Sequence, residues 1–288
     1  MDLLLQVIIN GLLLGGLYAL MALGLALVWG VLNIVNLAHG ALIMLGGYAG
    51  YYLFTLMGID PFLALPLVML LLFILGYALQ RYVLTLIARS PMFNTLLITF
   101  GLDVIFMVLA QLFFSADFRT INPSYAGAHV TWFGLTFPQV QLYSFAVALL
   151  LTVGLWLLLL HTRIGRAIRA TAQNLSAARL YGVNPKKIYA LTFGIGAALA
   201  GAAGDLYGVV SQITPYIGAT LTAKCFAIAI IGGLENPLGV IVGGVLLALI
   251  ESLTALYVGP TFIDVASFGV LVLVLIIRPQ GLLGKTAK

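Results

Sequence analysis

Apolar and polar positions alternate in long blocks, giving nine apolar runs near residues 4–29, 33–56, 61–80, 93–114, 140–160, 188–211, 220–234, 237–257 and 261–277. Most approach the ~20 residues a helix needs to cross the hydrocarbon of a bilayer. The pattern predicts an all-α polytopic membrane bundle of eight or nine transmembrane helices, forming a single domain over residues 1–288. The run at 220–234 is too short for an ordinary span, so the count is nine if it crosses and eight if it is re-entrant.

One long polar segment stands between these runs, residues 161–188, HTRIGRAIRATAQNLSAARLYGVNPKKI. It holds six of the thirteen basic residues: Arg163, Arg166, Arg169, Arg179, Lys186 and Lys187. Ile164, Ile168 and Leu175 fall within about 40° of one another at 100° per residue, which predicts one amphipathic helix over residues 163–181. Gly182 then closes it, and Asn184-Pro185 forbids its continuation. Such a helix can lie in the headgroups against anionic lipid or present a docking face to a soluble partner. The membrane setting speaks against a nucleic-acid surface.

Two apolar runs are interrupted. In GVLNIVNLAHGALIMLGG, residues 30–47, Asn33, Asn36 and His39 recur every three positions between glycines. In residues 211–239, Pro215, Gly218, Gly232-Gly233 and Pro237 break the run. Paired interruptions in the two halves of a chain point to a central pathway and an internal repeat, since broken helices expose backbone groups that lipid cannot satisfy. Asn33, Asn36, His39, Pro215 and Gly218 are therefore the candidate pathway residues. His39 reads either as a proton relay or, the favoured reading, as a neutral histidine bonded across a helix interface; the asparagines line a path or join helices. G-x-x-x-G pairs at Gly11/Gly15, Gly46/Gly50, Gly204/Gly208 and Gly239/Gly243 fit close helix packing.

Composition agrees with a membrane protein: 63% of residues are hydrophobic and 7% charged, against roughly 45–50% and about 25% in a soluble domain. Charge sets the expected orientation. Arg81, Arg89, the six basic residues of 161–188, Arg278, Lys285 and Lys288 would share the cytoplasmic side, leaving Arg119 and Lys224 for the other. With nine crossings the N-terminus is then outside and the C-terminus cytoplasmic, in a plasma (inner) membrane. Met1-Asp2-Leu3 lacks a basic leader region, so the first span is expected to be retained. Residues 115–139, on the outer side, read as a structured cap or short hairpin with Trp132 and Phe133 at headgroup depth; an external partner could land there.

Candidate chemistry is sparse. The carboxylates within the apolar runs and their ends, Asp103, Asp205, Glu235, Glu251 and Asp264, are scattered, which speaks against an ion-coupled carrier; Glu235 is placed at the cytoplasmic end of a span. Three histidines, at 39, 129 and 161, are too far apart for a metal-protease motif, and the lone Cys225 reads as a packing residue. Gly284-Lys285-Thr286 mimics the end of a phosphate-binding loop without its first glycine or its strand-to-helix context. No enzyme, metal site or cofactor is expected in this chain, and if ATP drives it another subunit binds the nucleotide.

Several stretches, taken in order, resemble the branched-chain amino acid permeases of ABC importers, particularly the LivH type. They are Asn10 through Leu20 continuing to Gly24 and Asn36-Leu37-Ala38-His39-Gly40, then Asp117-Phe118-Arg119, then Arg163-Ile164-Gly165-Arg166-Ala167 with Asn174 and Gly182. Pro215 through Phe226 with Ile231-Gly232-Gly233-Leu234, and Arg278 through Gly284, complete the series. The resemblance implies the translocation subunit of a binding-protein-dependent importer, working with a second related permease, two cytoplasmic ATPases and an external substrate-binding protein, in contact with membrane lipid and without nucleic acid. It makes residues 161–188 the cytoplasmic coupling loop, with Arg163, Arg166, Arg169, Asn174 and Gly182 coupling to the ATPase. Branched-chain amino acids are the expected substrates; urea, short amides and aromatic acids are alternatives carried by relatives of the same design, and an ion-coupled secondary transporter is the alternative of another class.

Overall fold

A computed structural model describes residues 2–87, 92–132, 134–234 and 236–284. Arg89, Phe133, Glu235, Lys285, Thr286 and Lys288, which figure in the expectations above, lie outside the described residues. The elements are α1 (Asp2–Leu32), α2 (His39–Met57), α3 (Pro61–Ala78), α4 (Met92–Phe114), β1 (His129–Trp132), β2 (Leu135–Pro138), α5 (Gln139–His161), α6 (Arg163–Gln173), α7 (Leu175–Leu180), α8 (Pro185–Val210), α9 (Ile217–Gly232), α10 (Pro237–Tyr257) and α11 (Ile263–Ile277). Among the described residues, eight helices are long and apolar enough to cross a membrane, and α9, with 16 residues, is a shorter apolar helix.

Helix starts follow from local chemistry. Asp60-Pro61, Asn184-Pro185 and Asn236-Pro237 open α3, α8 and α10, the acidic or amide side chain accepting from Phe62 N, Lys187 N and Leu238 N in turn. Each cap satisfies a backbone donor that has no partner within its helix, while proline supplies a preset φ where no N–H is needed.

The two ends of the bundle are tied by different segments. At one end β1 and β2 form an antiparallel hairpin, the expected short hairpin. It receives the start of α1, since Thr136 N donates to Gln6 Oε1 at 2.8 Å. Arg119 and Ile213 form a backbone bridge at the same end, with N–H to O distances of 3.0 and 2.8 Å. The opposite end carries α6 and α7, and there Leu282 N donates to Ile231 O at 2.8 Å, fastening the C-terminal turn to the end of α9. Residues 211–216 together with α9 thus run the length of the bundle and count as a ninth crossing.

The interrupted run 33–56 does not begin as a helix at residue 33. Residues 33–38 are non-helical, and α2 begins only at His39, whose side chain reaches Met21 O in the middle part of α1. With 1.5 Å of rise per residue, Met21 lies ~16 Å from the end of α1 at Leu32, so the chain re-enters the bundle without helix and becomes helical part-way through. Residues 211–216 do the same before α9. The two halves match in detail: Leu32 and Val210, and His39 and Ile217, lie 178 residues apart (210 − 32; 217 − 39). Gly30/Gly208, Val31/Val209, Gly40/Gly218 and Ala41/Ala219 are identical at that offset. Helices α1–α4 and α8–α11 are therefore an internal repeat whose members run in opposite directions, and α1 packs along α10 as its counterpart α8 packs along α3.

Small residues make these crossings close. A Cβ on Gly46 would stand 2.3 Å from Gly201 O, one on Gly204 1.8 Å from Ile43 O, and one on Gly15 2.7 Å from the Cα of Val245. Dispersion between backbones replaces the hydrophobic effect, which is lost inside lipid. Helix α5 is seated more loosely, resting on α1 and α6 and touching α8. An apolar crevice of about 520 Å³ lies between it and α3, lined by Pro66, Met69, Phe73, Leu151, Leu158 and Ile195.

Candidate functional site

The two breaks meet. Gly40, at the start of α2, packs directly on Gly218, at the start of α9, and Gly40 N donates to Thr222 Oγ1 at 2.8 Å. The same hydroxyl donates to Leu37 O at 3.1 Å. On the other side of the non-helical segment, Leu37 N donates to Thr99 Oγ1 of α4 at 3.2 Å, and that hydroxyl lies 3.1 Å from Val35 O. Two threonines from different helices thus supply the partners that a helical conformation would have given residues 35–40, which is what permits irregular backbone at membrane depth.

The predicted pathway residues divide by this geometry. His39 is buried and its Nε2 stands 2.9 Å from Met21 O; because a carbonyl only accepts, Nε2 carries the proton. That arrangement is the cross-helix histidine favoured from the sequence. Asn36 is buried, and neither atom of its amide has a hydrogen-bond partner among the described residues. Asn33 is exposed at the end of α1 with φ 52, where asparagine tolerates the left-handed turn that stops the helix. Pro215 and Gly218 are buried at the start of α9. Asp205, on α8, is buried against Gly50, and neither of its oxygens has a hydrogen-bond partner among the described residues.

One expectation fails. The dispersed carboxylates are not all dispersed in space: Lys224 Nζ lies 2.9 Å from Glu251 Oε1 and 3.6 Å from Asp264 Oδ1. Tyr18 Oη donates to Glu251 Oε2 at 2.7 Å and Ser267 Oγ to Oε1 at 2.6 Å. Lys224, left for the outer side by the charge count, is an interior residue, because α9 carries it into the bundle where α1, α10 and α11 converge. The sequence did hold one signal, since Tyr216, Thr220 and Lys224 recur at i, i+4 and i+8 and mark one polar stripe on an apolar helix. Tyr216 is exposed and bonded to Gln111 of α4, and Thr220 is exposed below it.

At the opposite end, the basic segment is two helices and not one. Asn174 is extended (φ −155, ψ 103) between α6 and α7, and its side chain accepts from Ala177 N at 2.9 Å, capping α7. A short polar side chain that competes for backbone donors ends the first helix there. Gly182, with φ +80, ends α7, and Val183 N returns to Ala178 O at 3.1 Å, as expected. Gly165 lets α6 fold back under α5, since a Cβ there would stand 2.2 Å from Leu158 O. Arg163 and Arg166 are exposed, whereas the Arg169 guanidinium turns inward and donates to Leu159 O at the end of α5. Leu180 and Tyr181, 89% and 90% exposed, form an apolar tip at the end of α7; they open the Leu180-Tyr181-Gly182-Val183 stretch that resembles the coupling loop of the permease family.

Comparison with known proteins gives one consistent answer. The model of the family described as "Branched-chain amino acid transport system / permease component" matches residues 7–277. The high-affinity branched-chain amino acid transport system permease protein BraD of Pseudomonas aeruginosa is 34% identical, over 98% of this chain and 96% of its own. LivH of Escherichia coli K12, with the same description, is 32% identical with the same coverage. LivM of that organism, likewise described, is 29% identical over 93% of this chain and 68% of its own. No solved structure matches.

Proposed function

The chain belongs to the family of branched-chain amino acid transport permeases, and on that premise we propose that it is the membrane-spanning translocation subunit of an ATP-driven, binding-protein-dependent importer of branched-chain amino acids. The match of nearly the whole chain to this family carries the reading. A second related permease completes the membrane part; that E. coli has both LivH and LivM, each named as a permease of such a system, supports a heteromeric pair. Two cytoplasmic subunits bind ATP and an external protein delivers the substrate.

The hairpin end faces outward and the α6–α7 end faces the cytoplasm, with the N-terminus outside and the C-terminus inside. The positive-inside rule supports this, since Arg163, Arg166, Arg179, Lys186, Lys187 and Arg278 share one end. The coupling element is α6–α7: Leu180 and Tyr181 enter a groove on the ATPase, Arg163 and Arg166 make charge-assisted contacts, Asn174 and Gly182 hold the shape, and Arg169 ties the element to α5. ATP binding draws the ATPases together, and the coupling element passes that motion to α5 and α8. The ATP-bound partner must favour one permease state over the other, because equal affinity shifts nothing.

The pathway runs along the exposed stripe of α9, beside the meeting of the two breaks. A helix that starts within the bilayer and shows Tyr216 and Thr220 outward is poorly matched to lipid and well matched to a water-lined interface with the second permease.

Leucine uptake into proteoliposomes holding the full assembly, with binding protein outside, tests the reading. A requirement for both enclosed ATP and the binding protein is expected. Uptake driven by an ion gradient without ATP would overturn it, and the Lys224–Glu251–Asp264 cluster is the observation that makes this ion-coupled arm worth running. Uptake of urea, short amides or aromatic acids in place of leucine would keep the class and change the substrate.

A further inference from the structure

Lys224, Glu251 and Asp264 place one ammonium beside two carboxylates, and the two carboxylates are not equivalent. Glu251 has both oxygens bonded, to Lys224, Ser267 and Tyr18, and its side chain is 5% exposed. Lys224 neutralises it at 2.9 Å. Among the described residues Asp264 has the longer 3.6 Å contact alone, and it is 61% exposed. It stands in the first turn of α11, ~20 Å by helical rise from the end of that helix at Ile277, and so within about 10 Å of the opposite face of a hydrocarbon layer about 30 Å thick. A carboxylate turned to an apolar surface there favours a cation partner, and among the described residues Lys224, already paired, is the one that approaches it.

We propose that Asp264 and Lys224 are the seat of the substrate's zwitterionic head, Asp264 receiving the α-ammonium and Lys224 Nζ the α-carboxylate. This deepens the importer reading and rests on it. An ammonium and a carboxylate on neighbouring atoms of one small molecule match an opposite pair 3.6 Å apart, head against tail. Lys224 Nζ donates to Glu251 at 2.9 Å and to Tyr18 Oη at 3.4 Å, so the third of the ammonium's donors is the one turned to Asp264, and the substrate's α-carboxylate takes that donor when its α-ammonium engages Asp264. The position lies on the route: Lys224 is one helical turn beyond Thr220 and two beyond Tyr216, so the stripe leads to it from the hairpin end. Beside the stripe, Ala219 and Ala223 present small side chains. Glu251, Tyr18 and Ser267 are positioning residues that hold Lys224 in place.

The test uses the assembled transporter in nanodiscs without binding protein, with ligand contact read by saturation-transfer NMR for three probes: leucine, 3-methylbutylamine, which lacks the carboxylate, and 4-methylpentanoate, which lacks the ammonium. In the wild type, leucine and the amine are expected to bind, and Asp264→Asn to weaken both by about tenfold, the loss of one charge-assisted contact, with partial recovery in Asp264→Glu. Binding of 4-methylpentanoate should not respond to Asp264→Asn. Leucine binding unchanged in Asp264→Asn overturns the proposal. So does loss of the second permease on purification of that variant, which would mean that Asp264 pairs with a cation of that subunit. ATP-dependent leucine uptake by the same wild-type assembly, reconstituted in proteoliposomes with ATP enclosed and binding protein outside, is measured in parallel: its absence sinks the importer reading and this proposal with it, whereas its presence with leucine binding unaffected in Asp264→Asn sinks the seat alone.

Discussion

Gly40 and Gly218 occupy equivalent places in the two halves of the chain and lie against each other, so that a Cβ on Gly40 would stand 1.9 Å from Gly218 O. The obstacle is backbone and cannot rotate away. Gly40→Ala is expected to destabilise the bundle by about 1–3 kcal/mol or more, the usual cost of overpacking, read as a lower unfolding midpoint in detergent. Gly30, on α1, has nothing within 4 Å of its Cβ position, so Gly30→Ala should be neutral or stabilising by up to about 1 kcal/mol. Equal midpoints for the two variants would show that the breaks do not touch as described.

Thr222 holds two backbone groups of the re-entering segment, Gly40 N–H and Leu37 C=O. Thr222→Val keeps the shape and removes the hydroxyl, leaving buried polar groups without partners at a cost of about 1–3 kcal/mol each. Thr222→Ser should retain most of the stability. If valine and serine behave alike in the same unfolding measurement, the hydroxyl does not support the break.

Leu180 and Tyr181 point away from the bundle, so replacing both by alanine should leave insertion and thermal stability unchanged while lowering co-purification of the ATPases and transport together. Gly182→Val acts differently, forcing a β-branched residue to φ +80 at a cost of roughly 1–2 kcal/mol, and should reduce transport with insertion intact. Transport at the wild-type level in either variant would remove that position from the coupling element.

Outside the membrane-spanning segments, Tyr125 Oη donates to Asp60 Oδ2 at 2.6 Å. Burial first, and then the bond to Asp60, push the phenol above its ordinary value. A proton held more tightly in the folded state stabilises that state fully below the unfolded value near 10 and progressively less as pH rises above it. The unfolding midpoint should therefore fall more steeply between pH 10 and higher pH in the wild type than in Tyr125→Phe. Parallel pH profiles would show that the contact contributes nothing.

The features legible in the sequence were those set by short-range rules. The apolar blocks gave the spans to within a few residues, and Gly182 with Asn184-Pro185 marked a stop. The boundaries of α2 were less accessible, because residues 33–38 are apolar enough to pass for helix and are non-helical where Thr99 and Thr222, far away in the chain, satisfy their backbone. The partners of Lys224 were hidden for a related reason: a charge count assigns cations to one side or the other, and nothing local says that Glu251 and Asp264 will meet it. Asn174 was read as one more position in a helix, although its type favours the cap it turns out to provide. The inward turn of Arg169 depends on the close fold of α6 under α5, which Gly165 allows and no periodicity reveals.

Helix α5 has a topological meaning beyond its position between the two halves. Each half contains four crossings, an even number, and so begins and ends on the same side of the membrane. Joined directly, the second half would insert in the same sense as the first, and the counterparts of α1 and α8 would be parallel. The single additional crossing of α5 reverses the second half, so the antisymmetry of the bundle is a matter of parity carried by one helix with little packing of its own. Its exposed side chains, Leu149, Leu150, Val153 and Trp156 among them, are constrained by apolar character and length more than by shape, and α5 should accept exchange among large apolar residues that α8 would not.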